Sequence, residues 1–174
     1  SMGGMVAWEM AQRLQGDGEA VELLALMDTP CGEQMPARPA ADWEFVGAVL
    51  AGRIQLTPAE LMPLPLDAQL EYAFDKGRRA GAGDDLTVES ARRLVAVLKA
   101  NVGALFGYAP RPYPGRLLYF RARERRAVDP PRPELPWIEL AAAGTEVVLV
   151  PGDHETMHAP PQVSAMVERL AALL

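Results

Sequence analysis

The chain carries a single cysteine, Cys31, so no disulfide can close within its 174 residues, which fits a reducing compartment. Lysine is nearly missing too: Lys76 and Lys99 are the only two, and the other fifteen basic residues are arginine. Basic residues are outnumbered 17 to 23 by acidic ones, giving a formal charge of −6. Binding a polyanion needs a clustered positive field, so nucleic acid is not an expected partner. No apolar run approaches the roughly 18 residues needed to span a bilayer, and no signal peptide opens the chain. These absences predict a soluble, cytoplasmic protein without a membrane partner. Histidine is scarce as well, with only His154 and His158 to serve a general base or a metal.

With 49% hydrophobic and 23% charged residues, the chain can build one globular core but not two comfortable domains. The densest basic run is Arg121, Arg123, Arg125 and Arg126, just before the proline-rich stretch from Pro130 to Pro136. It reads as a solvated loop, with a contact surface for an acidic partner as the other reading.

Helix and strand periods alternate along the chain. Val6, Met10 and Leu14 recur every four residues and Gly16-Asp17-Gly18 follows them, which predicts a helix over Gly3 to Leu14. Ala20 to Met27 is a short apolar run ended by Asp28-Thr29-Pro30, a buried strand with Asp28 at its carboxyl end. Open α/β sheets carry their ligands and catalytic groups at that end. After a loop from Cys31 to Pro39, helices are expected at about Trp43 to Gly52, Leu66 to Arg79 and Thr87 to Phe106. Prolines 58, 63 and 65 and the Gly81-Ala82-Gly83 breaker separate them. Arg116 to Arg121 and Thr145 to Val150 read as core strands flanking a short helix over Trp137 to Ala143. Pro160 to Leu174 reads as an amphipathic helix burying Val163, Met166, Val167 and Leu170. Alternating strands and helices imply a mostly parallel α/β sheet. Three strands are few for such a sheet, which generally needs more, so further strands upstream are expected.

The chemistry-bearing residues follow one order. Serine hydrolases on α/β sheets place nucleophile, acid and histidine in the sequence Ser, Asp or Glu, His, and Ser1, Asp28 and His154 appear in that order. Ser1-Met2-Gly3-Gly4 supplies the second half of the G-x-S-x-G elbow at a helix start, and Asp28 lies 27 positions after Ser1.

Four blocks, SMGGMVAWEMAQRL, LMDTP, YAPRPYPGRLLYFRA and VPGDHETM, resemble in order those of the thioesterase domains that close nonribosomal peptide synthetases. The resemblance runs from Ser1 to Leu174 and implies the C-terminal part of one α/β-hydrolase-fold domain. Its core would be residues 1–34 and 107–174, with a helical lid at about 35–106. It further implies Ser1 as acyl-accepting nucleophile, Asp28 as orienting acid, His154 as base, and the Met2 N–H as one oxyanion donor. The substrate would be a peptidyl or acyl thioester on the phosphopantetheine of an upstream peptidyl carrier domain, with no directly bound cofactor. Release would occur by hydrolysis or macrocyclisation. The family's early strands and its second oxyanion donor do not match any part of the chain, so an inactive hydrolase fragment is one alternative. A free-standing editing thioesterase or another serine esterase is a second.

Two rival chemistries share these residues. His154-Glu155-Thr156-Met157-His158 matches the zinc-protease pattern H-E-x-x-H, but there is no third histidine and Glu168 would have to serve as the remaining ligand. Pro151-Gly152 before it and Pro160-Pro161 after it leave little room for the helix that pattern requires. Alternatively Ser1 could act as an N-terminal nucleophile with its own amine as base, but such enzymes begin with a strand, and Gly3 to Leu14 reads as a helix.

Overall fold

The computed structural model describes residues 1–34, 39, 41–81, 86–127 and 129–173, which form two compact units. The first unit comprises Ser1–Pro36 and Leu105–Leu174, and the second Ala37–Ala104. The expected loop beyond Gln34, the Ala82-Gly83 part of the breaker and Leu174 fall wholly or largely outside the described residues.

The first unit is a parallel sheet of β1 (Leu24–Met27), β2 (Leu117–Ala122) and β3 (Thr145–Val150), in that order. Around it lie α1 (Gly3–Gly16), a short helix at Leu135–Leu140 and a last helix at Ser164–Ala171. β2 is central, and five of its six residues are buried, because both of its faces are covered. Leu117 and Tyr119 join Met5, Trp8, Leu26, Tyr113 and Trp137 in one core. Leu118, Phe120 and Ala122 point the other way, into a core with Val150, Met157 and Met166. Trp8 sits at the centre of the first core, its ring 4.9 Å from Trp137 and 5.3 Å from Tyr113, while its Nε1 donates to the Arg111 carbonyl. Burying an indole while pairing its one polar atom is what permits full burial here.

Several expectations shift against this packing. β1 is four residues rather than eight, because its ladder starts at Leu24 opposite Leu117, where Pro112-Tyr113-Pro114-Gly115 have given way to strand. β2 moves one residue forward, ending at Ala122 opposite Val150. Val6, Met10 and Leu14 do lie on a helix, but they are exposed, and the buried face is Met5, Trp8 and Ala11. The bulk of Trp8 decides which side meets the sheet. The last helix spans only Ser164–Ala171, because Pro160 and Pro161 keep the preceding turn out of helix. Of its expected stripe, Met166 is buried, Val163 and Leu170 are partly so, and Val167 is 57% exposed. The arginine run is not a solvated loop throughout: Arg121 pairs with the buried Glu134, Arg125 with Asp28, and Arg126 with Asp129 and Glu155, while Arg123 is exposed.

The second unit is helical: α2 (Asp42–Leu50), α3 (Pro58–Leu61), α4 (Leu66–Arg79) and α5 (Val88–Gly107), whose last residues belong to the first unit. Phe45, Val46, Leu50, Leu61, Leu70, Ala73, Ala91 and Val95 form its own core. α3 was not anticipated; its start carries a capping box in which the Thr57 N–H and hydroxyl donate to Glu60, with Pro58 at the first helical position.

Candidate active site

At the carboxyl end of β1 the backbone of Asp28 turns into the left-handed region, φ 44°, where short acids are among the few side chains tolerated. Its N–H still donates to the Phe120 carbonyl at 2.7 Å, so the residue begins as strand. The turn then removes the next backbone acceptor, and the carboxylate replaces it: Asp28 Oδ1 accepts the Ala122 N–H at 3.0 Å. Thr29 locks the turn from below. Its carbonyl accepts both the Tyr119 hydroxyl, at 2.8 Å, and Trp137 Nε1, at 2.7 Å.

His154 arrives from β3 by a different device. Gly152, at φ 90°, lets the chain leave the strand sharply, and a Cβ there would lie 2.7 Å from Thr156 Oγ1. Asp153 Oδ1 then accepts the N–H groups of Glu155 and Thr156 and the Thr156 hydroxyl, fixing a tight turn. With Met157 anchored in the core, the turn aims the imidazole at Asp28, and Nδ1 lies 2.8 Å from Oδ2. Facing an ionised carboxylate, Nδ1 is the donor, which leaves Nε2 as the acceptor.

Asp28 is held as a carboxylate. Burial pushes its pKa up, but hydrogen bonds from His154, Arg125 and the Ala122 N–H, together with the Arg125 charge, outweigh that and bring it to about 2. Both oxygens carry two contacts, since Arg125 Nη1 lies 2.7 Å from Oδ1 and 2.8 Å from Oδ2.

Ser1 is tied to this same strand end. The Thr29 hydroxyl donates to the Ser1 carbonyl at 3.0 Å, and the Ser1 amine donates to the Met27 carbonyl. Among the described residues the Ser1 hydroxyl makes no hydrogen bond, and the Met2 N–H, at the start of α1, has no acceptor. The site therefore brings Asp28 and His154 into direct contact and ties Ser1 to the strand that carries the acid, with a donor left open beside it.

The elbow glycines differ in purpose. A Cβ on Gly4 would fall 2.1 Å from Thr29 Oγ1, whereas one on Gly3 meets nothing within 4 Å among the described residues. Gly4→Ala is expected to destabilise the protein by about 1–3 kcal/mol through overpacking and to move Ser1 relative to Asp28. Gly3→Ala should be neutral or stabilising by up to about 1 kcal/mol. Paired thermal melts check the contrast, and equal melting temperatures for the two variants would contradict the Thr29 contact.

The rival chemistries lose their geometry. His154 to His158 form turns rather than helix, so the two histidines do not project from one helical face, and Glu155 is engaged by Arg126. The Ser1 amine is occupied as a donor to Met27, and α1 rather than a strand follows it. Two residues of the site escaped the sequence. Thr29 looked like ordinary turn chemistry, and Arg125 was one arginine among four in a run, with nothing local to single it out.

Comparison with known proteins gives the family and the fold. The family model described as the thioesterase domain matches residues 1–174. A dimodular nonribosomal peptide synthase of Bacillus subtilis is 31% identical over 126 residues, covering 70% of this chain and 5% of the synthase. The chain spans only 3–5% of the length of the curated relatives it matches. Among solved structures, a four-domain nonribosomal peptide synthetase bound to AMP and glycine superimposes with a TM-score of 0.75 at 19% identity, covering 97% of this chain and 13% of that one. The NocB thioesterase domain, solved as a covalent complex with a fluorophosphonate nocardicin G analogue, gives 0.58 at 22% identity, covering 99% and 63%. These likenesses identify the α/β-hydrolase fold.

Proposed function

The chain belongs to the thioesterase domain family, and from that premise we propose that it releases a peptidyl or acyl chain held as a thioester on the phosphopantetheine of an upstream carrier domain. The observation that carries the proposal is the contact between Asp28 and His154, at the carboxyl end of the sheet and on the strand end to which Ser1 is tied.

In this reading the Ser1 hydroxyl attacks the thioester carbonyl as His154 Nε2 takes its proton. The tetrahedral oxyanion is met by the open Met2 N–H. The C–S bond breaks, the departing thiolate takes the proton from His154, and the chain is left as an ester on Ser1. Water, or a hydroxyl or amine of the chain itself, then attacks that ester with His154 again as base, and the proton returns to Ser1 Oγ. The products are a free acid or a macrocycle, and no cofactor is required. Throughout, Asp28 keeps Nδ1 protonated and stabilises the imidazolium. In this reading the helical stretch at about 35–106 is the family's lid and influences which chains are accepted. The work is assigned to the cytoplasm, where a lone unpaired cysteine persists. Among the described residues no helix is long and apolar enough to cross a membrane.

A serine-directed fluorophosphonate tests the assignment in the complete protein. One adduct, mapped by fragmentation to Ser1 and absent from the Ser1→Ala variant, is the expected result. Labelling at another serine, or none in a folded protein, would overturn it.

A further inference from the structure

Arg125 contacts Asp28 through a single nitrogen that bridges both carboxylate oxygens, and its side chain is 18% exposed. The loop that carries it is fastened on both sides of the site. The Arg123 N–H donates to the Val150 carbonyl at 2.9 Å and the Glu124 N–H to the Gly152 carbonyl at 3.1 Å, so the β2–β3 ladder continues beyond Ala122. Residue 125 is thereby held beside the turn that bears His154. Its neighbour Arg126 pairs with Glu155, the residue after His154. One loop thus grips the strand end that holds the acid and the turn that holds the base.

Building on the assignment of Asp28 and His154 as acid and base, we propose that Arg125 is a positioning residue that fixes the plane of the Asp28 carboxylate and shares its charge with His154. The sharing has a direction. Asp28 Oδ2 serves His154 and Arg125 at once, at 2.8 Å each, so an imidazolium formed there finds part of its counter-charge already claimed and a cation close by. Without the Arg125 guanidinium, Oδ2 would serve His154 alone, and no second cation would stand beside the imidazolium that forms in the reaction.

The other charged or titratable groups around the dyad have partners of their own. Arg126 is paired with Asp129 and Glu155, and Asp153 accepts from its own turn. Glu134 is held by Arg121 and Arg132. The Tyr119 hydroxyl donates to Thr29, and burial pushes its pKa far above the ordinary range.

The test reads His154 itself, without substrate. In the complete protein with labelled histidine, the ring signal that disappears in His154→Gln is followed by NMR against pH. In Arg125→Gln, which removes the neighbouring cation, the midpoint is expected to rise. Arg125→Lys, which keeps the charge and one donor, should return it towards the parent value. Arg125→Met preserves the buried stem, and the midpoint is read in whichever neutral variant folds. In thioester turnover the neutral variant should lose kcat at neutral pH, and lose more at lower pH, with KM little changed and its acidic limb moving with the NMR midpoint. A folded neutral variant with an unmoved midpoint overturns the proposal, as does a loss confined to KM. Failure of fluorophosphonate to label Ser1 would instead strike the hydrolase assignment and leave the titration result standing.

Discussion

Replacing His154 by alanine is expected to lower thioester turnover by about 10⁴- to 10⁶-fold, with Ser1→Ala close behind and the double variant no worse than either. The reason is that nucleophile and base act as one unit. Without His154, the Ser1 hydroxyl has no acceptor for its proton in this site, and the other histidine, His158, is exposed in the following turn. The variant should still fold, because the ring is partly exposed and removal of one Asp28 partner leaves Arg125 and the Ala122 N–H in place. Steady-state rates in the complete protein, with circular dichroism as the folding control, measure this. Near-normal turnover in a folded His154→Ala protein would remove it from the mechanism, and His158→Ala should change little.

Asp28→Asn is expected to cost about 10⁴-fold in kcat for a different reason, and also to cost stability. An asparagine presents an amide N–H₂ as well as an oxygen, so the imidazole can turn its proton to Nε2, the wrong tautomer for accepting from serine. It also strips Arg125 of its counter-ion, and removing one partner of a largely buried pair is destabilising by about 3–5 kcal/mol, less here because Arg125 is partly exposed. The sign of the pH effect follows from the depressed carboxyl. An acid whose folded pKa lies below its unfolded value stabilises the fold above the unfolded value, and that share is lost as pH falls through the folded one. For Asp28 the window runs from its ordinary 3.8 down to about 2, and the amount is about 2 kcal/mol. Parent and variant melts should therefore converge between pH 4 and pH 2. A gap that stays constant across the window would mean that the carboxylate is not held by its partners.

How far the sequence could be read depended on whether a signal was local. β3 and α4 were predicted to the residue, since Thr145–Val150 is an uninterrupted apolar-rich run and Leu66–Arg79 is a long amphipathic segment bounded by Pro65 and Gly81. α1 was legible as a helix but not in its orientation: a four-residue recurrence says that Val6, Met10 and Leu14 share a face, and says nothing of which face a tryptophan will pull inward. Asp28 and His154 could be paired because each follows the carboxyl end of a strand, and parallel strands bring those ends to one side of a sheet. Arg125 could not, because its partner lies 97 positions away and depends on the register of β1 with β2. Glu134 was hidden for the same reason, a buried carboxylate supported by arginines whose placement only the folded loop reveals.

The left-handed backbone at Asp28 restricts which acid this site can recruit. Aspartate and asparagine visit that conformation far more readily than longer side chains, whose extra methylene would also carry the carboxylate past the Ala122 N–H that it caps. Glutamate, chemically an equal partner for a histidine, is thus a poor substitute at position 28. An ancestor using glutamate here would have had to rebuild the strand end before exchanging one acid for the other.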